Sequence, residues 1–450
     1  MFWLVGCNRP DVIVITLDTL RVDHVGAFAS DSPALTPNID ALAQDGVRYT
    51  NCYSPISVTG PAFVTLHTGQ DPGTHKVIMN VFRGGTFLKN KAETLAEKYQ
   101  HHRYETGGFV SGFTLRRSLG LAQGFDTYDT PPKTQNRRWG NKTAFRAIKW
   151  LEKQSGPVFL WYHSYDAHGP WNRWSPMPKS LPELTPEAQA EYDEILSKTP
   201  AYQLLENVTS IDSYKARYAR SVEFADKQVG KIIDSLKKSD RYDNSIIVLT
   251  ADHGESFDER ELWFDHGTTP HEEQLHVPLI IKYPNRDRAG QKDMRLIGLK
   301  DIAPTLLSVA GLSAFKKADG HDLTDQSWQG WSVLSGESSH CKKEKPLSCT
   351  PLGPSGKSFG VRSLEHSAFL FPTALGDKSY GHLLKSDPTE RKQVAVTDSL
   401  KSELQNLSST RRTSVADIIW PPPKVKSDDQ NAESIETEML KSLGYIDADE

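Results

Sequence analysis

A large α/β domain, with a mostly parallel central sheet flanked by helices on both faces and a smaller C-terminal α+β part, is the fold this sequence predicts. Three observations predict it. Short β-branched runs end in acids or histidines, amphipathic helical stretches alternate with them, and 450 residues suffice for one large core plus an appendage, since single domains usually hold about 100–250 residues.

The first run, "DVIVITLD" (Asp11 to Asp18), has the continuous apolar character of a strand buried on both faces of a parallel sheet, and it closes on an acid. "TPNIDALAQDG" follows as a helix, with Thr36 at N-cap, Pro37 at N1, Ile39, Leu42 and Ala43 on one face, and Gly46 as its stop. "SVTGPAFVTLHTG" (Ser57 to Gly69) suits a helix with Pro61 at N1 and Gly69 at its end. "PVFLWYHSYDAHGP" (Pro157 to Pro170) reads as a strand ending in a cluster of His and Asp. A long amphipathic helix is expected from about Ser210 to Lys238, where Tyr214, Tyr218, Val222, Ala225, Val229, Ile232 and Leu236 recur three or four apart. "NSIIVLTADHGE" is again a buried strand closing on acid and imidazole, "VPLIIKYP" (Val277 to Pro284) is one more strand, and "LKDIAPTLLSVAGL" is a short helix stopped by Gly311.

These elements divide the chain into residues 1–10 as a leader or linker, 11–315 as the main domain, 316–420 as a C-terminal subdomain with a loop-rich start, and 421–450 as a Pro-stiffened linker with a terminal helix. The subdomain is expected to carry a short sheet packed beside the long helix.

A net charge of −4 gives no bulk attraction for nucleic acid. No apolar run reaches the ~18 residues needed to span a bilayer. "MFWLVGC" ends in Leu4-Val5-Gly6-Cys7, which resembles a lipobox, although the apolar stretch before it is short and no basic region precedes it. Either the translation start lies upstream or the match is chance. The first reading predicts a lipid anchor at Cys7 and an exported protein of the bacterial envelope; the second leaves a cytoplasmic one. Cys341 and Cys349 bracket a polar loop that an oxidising compartment could close as a disulfide or a reducing one leave as free thiols, and Cys52 is expected to be a buried thiol.

In open α/β sheets, side chains remote in sequence meet beyond the carboxyl ends of the strands. Asp18, His168, Asp252 and His253 are placed to converge there. Asp18 alone could simply cap a turn, but Asp18 with Asp252 and His253 makes an O/O/N donor set suited to one divalent cation, calcium, magnesium, manganese or zinc. Thr59, at the amino end of its helix, has two readings: an N-cap, or a hydroxyl activated as a nucleophile by the helix dipole and a bound metal. Spacing leaves both open.

"VIVITLDTLRVDHVGAF", "TPNIDALAQDGVRYTNCYSP", "TGPAFVTLHTGQDPGTHKV", "FLWYHSYDAHGPW", "VEFADKQVGKIIDSLK", "IIVLTADHGESF" and "HGTTPHEEQLHVPLII" resemble the successive blocks of the sulfatase family, within the alkaline phosphatase superfamily, in the family's order over roughly residues 11 to 312. The resemblance implies that Asp18 and Asp252 are metal carboxylates, with His253 where classical sulfatases often have asparagine and phosphohydrolase relatives histidine. Thr19 stands where many members have a second aspartate. His168 would contact the leaving-group or sulfuryl oxygen, with Asp166 and His163 beside the substrate. His75 and Lys76 would lie beside the nucleophile, and His266 near a substrate-binding position. Formylglycine members carry a CxPSR-like motif; here the aligned residues are Thr59, Gly60, Pro61, Ala62 and Phe63, so no formylglycine is expected. Thr59 is then the hydroxyl at the nucleophile position, with Ser57 a weaker alternative. Three readings follow: a hydrolase of small-molecule, glycan or lipid sulfate or phosphate esters, an envelope phosphotransferase, and a catalytically degenerate binding protein with the same fold. Specificity is expected in variable loops, notably "WNRWSPMPKSLPELTPEAQAEYDEI", which could line a sugar site or cover the pocket.

Overall fold

The run Val12–Leu17 is apolar at every position because it occupies the middle of a sheet and both of its faces are covered; all six residues are buried. The computed structural model describes residues 9–80, 87–338, 358–373 and 376–411. Its strands, in chain order, are β1 (Val12–Leu17), β2 (Val47–Tyr53), β3 (Glu105–Val110), β4 (Thr127–Asp129), β5 (Val158–Ser164), β6 (Ile246–Thr250), β7 (His276–Lys282), β8 (Lys292–Gly298), β9 (Leu334–Glu337), β10 (Phe359–Arg362), β11 (His366–Thr373) and β12 (Gly376–Leu383). The first eight form one sheet in the order β4-β3-β5-β1-β6-β7-β2-β8. Only β7 runs against its neighbours, β6 and β2. The sheet is therefore mostly parallel, as its buried apolar strands require.

Helices cover both faces, and side-chain alternation along β5 shows it. Tyr162 donates through its hydroxyl to Gly140 O on the helix Gly140–Leu151 (3.2 Å). Its neighbours Trp161 and His163 meet Phe63, on the helix Thr59–Thr68, across the other face. The 28-residue helix Ile211–Lys238, with Ser210 as its N-cap, packs on Gly140–Leu151 and on Pro37–Asp45. The amino end of Pro37–Asp45 is closed by a carboxylate from the long helix: Asp226 accepts from Asn38 N (3.1 Å), Ile39 N (2.9 Å) and Asn38 Nδ2 (2.6 Å).

The smaller sheet has the order β12-β11-β10-β9 and is antiparallel throughout. It does not use the long helix as its packing partner, contrary to the sequence expectation. Its apolar face, with Phe359, Val361, Ala368 and Leu370, takes Leu400 and Leu404 from its own helix, Asp398–Arg411. Leu323 packs into the main core and the Trp331 indole donates to Asp301 (3.0 Å), so the segment after 315 still belongs to the main body up to β9. Cys52 is a fully buried free thiol, as expected. Cys7, Cys341, Cys349 and the terminal segment 421–450 lie outside the described residues. Among the described residues, no helix is long and apolar enough to cross a membrane.

Candidate metal and reaction centre

The three strands whose sequences end in polar residues are adjacent, β5-β1-β6, at the centre of the sheet. Register carries their ends to one level: Leu17 pairs with Ser164, and Thr16 with Thr250. Asp18 follows β1 directly, Asp252 and His253 lie just past β6, and His168 is four residues past β5. Asp18, Asp252 and His253 each turn a ligand atom to one point, with those atoms all within 4.8 Å of one another and all three residues buried.

The turn after β1 is built to hold this arrangement. Thr19 takes a left-handed conformation at φ 57°, costly for a β-branched residue by about 1–3 kcal/mol. Its N–H donates to Asp252 Oδ1 (3.1 Å), and its carbonyl accepts from the Tyr218 hydroxyl (2.8 Å) on the long helix. The same hydroxyl accepts from Arg21 N (2.9 Å).

Behind Asp18, His163 Nε2 donates to Oδ2 (3.1 Å), while its Nδ1 accepts from Ser111 N (3.3 Å). His253 donates from Nδ1 to Gly254 O (2.8 Å), and His168 from Nδ1 to Gly169 O (2.7 Å). Those bonds leave the Nε2 atoms of both rings free of hydrogen bonds, and that of His253 is turned to the ligand point. His266 packs against both, its ring centroid 4.6 Å from that of His253 and, edge-on, 4.9 Å from that of His168, and its Nδ1 lies 3.2 Å from Glu255 Oε1.

Asp18 Oδ1, Asp252 Oδ2, His253 Nε2, His168 Nε2 and the Thr19 hydroxyl are buried without a hydrogen-bond partner. Burial, then the carboxylates of Asp252 and Glu255, push the Asp18 carboxyl well above the usual carboxylate range. Burial holds His163 down to about 3, and burial reinforced by His266 holds His168 well below its ordinary value. Glu255 is pushed up to about 8, chiefly by burial. A cation is the group that satisfies two orphaned carboxylate oxygens and a neutral imidazole together while relieving the repulsion between the acids. The donor set therefore fits a divalent metal ion.

Thr59 is the first residue of its helix, Val58 stands at N-cap, and no side-chain cap closes this end. Thr59 is thus not the N-cap, and Pro61 sits at the third helical position rather than the first. Among the described residues no hydrogen bond joins the Thr59 hydroxyl to Asp18, Asp252 or His253. Phe63, one turn along on the same side, packs edge-on against His163 with ring centroids 5.2 Å apart. Gly60 N is taken by Asn80 Oδ1 (2.7 Å). The Ser57 hydroxyl is engaged with Thr269 O (3.2 Å).

Other residues expected at the site have different placements. Asp166 accepts from Gly140 N (3.0 Å) and from the Ser164 hydroxyl (2.6 Å), supporting the start of a helix. His163 is held between Asp18 Oδ2 and Ser111 N, with both ring nitrogens engaged. His75 bonds the Thr65 hydroxyl (3.0 Å), six residues down the helix from Thr59, about 9 Å in rise. Lys76 is exposed at a left-handed turn, φ 66°.

Three groups at the centre were not singled out from sequence. Glu255 lies two residues past His253 in "DHGE", where a second acid beside an imidazole was the available signal. Tyr218 was read only as a core position of the long helix. Arg137, in the loop "QNRRWG", lies on no motif, yet its guanidinium donates to His168 O (3.1 Å) and Gly169 O (2.6 Å).

Comparison with known proteins agrees with this architecture. The sequence model of the sulfatase family matches residues 10–312. A sulfatase of Formosa agariphila is 25% identical over 369 residues, covering 70% of this chain and 72% of its own. Among solved structures, a phosphonate monoester hydrolase of Agrobacterium radiobacter superposes with a TM-score of 0.69 at 21% identity, covering 91% of this chain and 96% of that one. Another, solved in complex with its substrate D-glucosamine-2-N,6-O-disulfate, gives a TM-score of 0.68 at 18% identity, covering 98% of this chain and 99% of the other. These solved structures share the fold of this chain. The chain belongs to the sulfatase family of ester hydrolases.

Proposed function

We propose that this protein is a metal-dependent hydrolase of sulfate or phosphate esters in which the Thr59 hydroxyl is the nucleophile. The observation that carries the reading is the convergence of Asp18, Asp252 and His253, with their unpartnered atoms aimed at one point. A divalent cation held there would supply Lewis-acid polarisation of the ester oxygens and a lowered pKa for a neighbouring hydroxyl. The neutral His253 Nε2 beside two carboxylate oxygens admits a softer ion such as zinc as well as manganese, magnesium or calcium.

Two observations support Thr59. Its position at the helix start sets it in the positive end of the helix dipole, and its side chain does not serve as the cap. In the first step Thr59 Oγ forms a bond to phosphorus or sulfur as the bond to the leaving alcohol oxygen breaks. The alcohol leaves with a proton in exchange for the one Thr59 gives up. In the second step water attacks the same atom, freeing phosphate or sulfate and restoring the hydroxyl. His168, with Nε2 open and Nδ1 fixed on Gly169, and His266, backed by Glu255, are the imidazoles suited to carry these protons. His253, where the family resemblance places histidine in phosphohydrolase relatives and often asparagine in classical sulfatases, favours a phosphate or phosphonate ester over a sulfate. The lipobox-like "LVGC" supports a lipid-anchored protein of the bacterial envelope.

The test is turnover of aryl sulfate, phosphate monoester, phosphate diester and phosphonate ester substrates with calcium, magnesium, manganese or zinc, wild type beside Thr59→Ala. Cleavage that requires both a metal and Thr59 is expected. Cleavage by Thr59→Ala at the wild-type rate contradicts the assignment.

A further inference from the structure

We infer that Tyr202 is a positioning residue for His266: its hydroxyl, carried in by the insert after β5, fixes the loop that sets the His266 ring against those of His253 and His168. This rests on the ester-hydrolase reading for the part His266 plays in turnover.

The insert, expected from sequence to line a sugar site or cover the pocket, makes contacts of another kind. Its helix Pro186–Lys198 buries only Ile195, so it adds little to the core. It is fastened to the start of the long helix, where Glu191 Oε1 accepts from Ile211 N (2.8 Å) and Leu205 N donates to the Tyr214 hydroxyl (2.7 Å). From that base it reaches the loop 256–267 at two points. The Lys198 carbonyl accepts from Trp263 N (2.9 Å), and Tyr202, on the short helical turn Ala201–Gln203, donates through its hydroxyl to Asp265 Oδ1 (2.9 Å). Asp265 is buried, immediately precedes His266, and takes the His266 backbone N–H on the same carboxylate.

The loop depends on such outside fastening. Backbone bonds close it on itself, Ser256 N to Asp265 O and Phe264 N to Phe257 O (both 3.0 Å). On either side of the Asp265–His266 pair the backbone is left-handed, at φ 51° for Phe264 and φ 80° for Gly267. That conformation is costly for a residue with an aromatic side chain and persists only where the surroundings impose it. The Phe264 ring is held by Tyr214, stacked with centroids 4.4 Å apart and planes 19° from parallel. Tyr202 supplies the polar hold at the very next residue. A hydroxyl bonded to a buried carboxylate is a charge-assisted, geometrically demanding contact. Removing that hydroxyl while keeping the ring therefore frees Asp265, and with it the backbone that aims His266, at little cost in packing.

The experiment is NMR of the full chain labelled with nitrogen-15 histidine, with magnesium or zinc present, for wild type and Tyr202→Phe. His266→Gln identifies the His266 signals, and thermal melting checks that each variant folds. Asp265→Ala, which removes the acceptor instead of the donor, is the second variant and should reproduce the effect of Tyr202→Phe. Turnover of the ester that wild type prefers is measured alongside. The expected result is that the signals missing from His266→Gln are those that shift most in Tyr202→Phe, and that turnover falls by about tenfold. Added to His266→Gln, the same substitution should change turnover little, because its route to the reaction is gone. Unmoved His266 signals overturn the inference, as does a wild-type rate in Tyr202→Phe or an equal loss in the two backgrounds. The two readings fail separately. Shifted His266 signals in a protein that cleaves no ester keep the positioning role and remove the hydrolase, whereas metal-dependent cleavage with His266 signals unmoved does the reverse.

Discussion

His163 Nε2 lies 3.1 Å from Asp18 Oδ2, with both side chains fully buried. Ser111 N donates to the other ring nitrogen, and burial keeps the ring neutral, so the imidazole is fixed in the tautomer that donates to Asp18. That bond aims Oδ1 at the ligand point. Loss of such a supporting partner commonly weakens metal binding by about 10–100-fold. His163→Ala is expected to do so in a calorimetric metal titration, and His163→Gln, which can still donate, to recover part of the affinity.

Two orphaned carboxylates side by side make the centre a source of instability until a cation is present. A metal that binds only the folded chain stabilises it by about 2.7 kcal/mol at a hundredfold excess over Kd. Melting curves should therefore move to higher temperature with the preferred metal and return with chelator. Asp252→Asn keeps an oxygen for Thr19 N and should fold, but its melting temperature should respond little to metal.

A buried ion network ties the small sheet to the main body. Arg362, at the end of β10, pairs with Glu272 Oε2 (2.7 Å) and with Glu390, and its guanidinium lies 4.5 Å over the Tyr53 ring. Arg260 forks onto Glu273 (2.9 and 3.0 Å) and donates to Glu390 O (3.0 Å). Removing one partner of a buried pair strands the other charge, at about 3–5 kcal/mol. Arg362→Met should lower the urea midpoint accordingly.

At the far side of the main sheet, Asp226 holds three donors at the start of Pro37–Asp45. Asp226→Ala should cost about 1–2 kcal/mol in urea unfolding. Turnover per folded molecule should be unchanged, because this helix start lies outside the reaction centre.

The central strands could be read from sequence because burial on both faces imposes an unbroken apolar run, and their polar ends located Asp18, Asp252 and His253, which the fold brings together. Strand β3, "ETGGFV", could not be read that way. A Cβ at Gly107 would meet the Trp150 ring at 2.9 Å and one at Gly108 the Tyr128 ring at 2.7 Å, so packing demands glycines that erase the strand signal. The helix packed on the small sheet was misassigned because amphipathic periodicity shows that a face is covered without showing by what. Asp166 and His163 sit among the strand-end residues in sequence, yet hydrogen bonds to Gly140 N and Asp18 determine their roles, and both partners lie more than twenty residues away. Arg137 reaches His168 only through a loop, which leaves no periodic trace.

The central claim is that Thr59 becomes esterified during turnover. The most direct measurement is a rapidly quenched single turnover with the metal and ester that wild type prefers, followed by peptide mass spectrometry. The account predicts a phosphoryl or sulfuryl group on the peptide containing Thr59, present during turnover and absent in Thr59→Ala. The same group on Ser57 or elsewhere, or full turnover by Thr59→Ala, would contradict it.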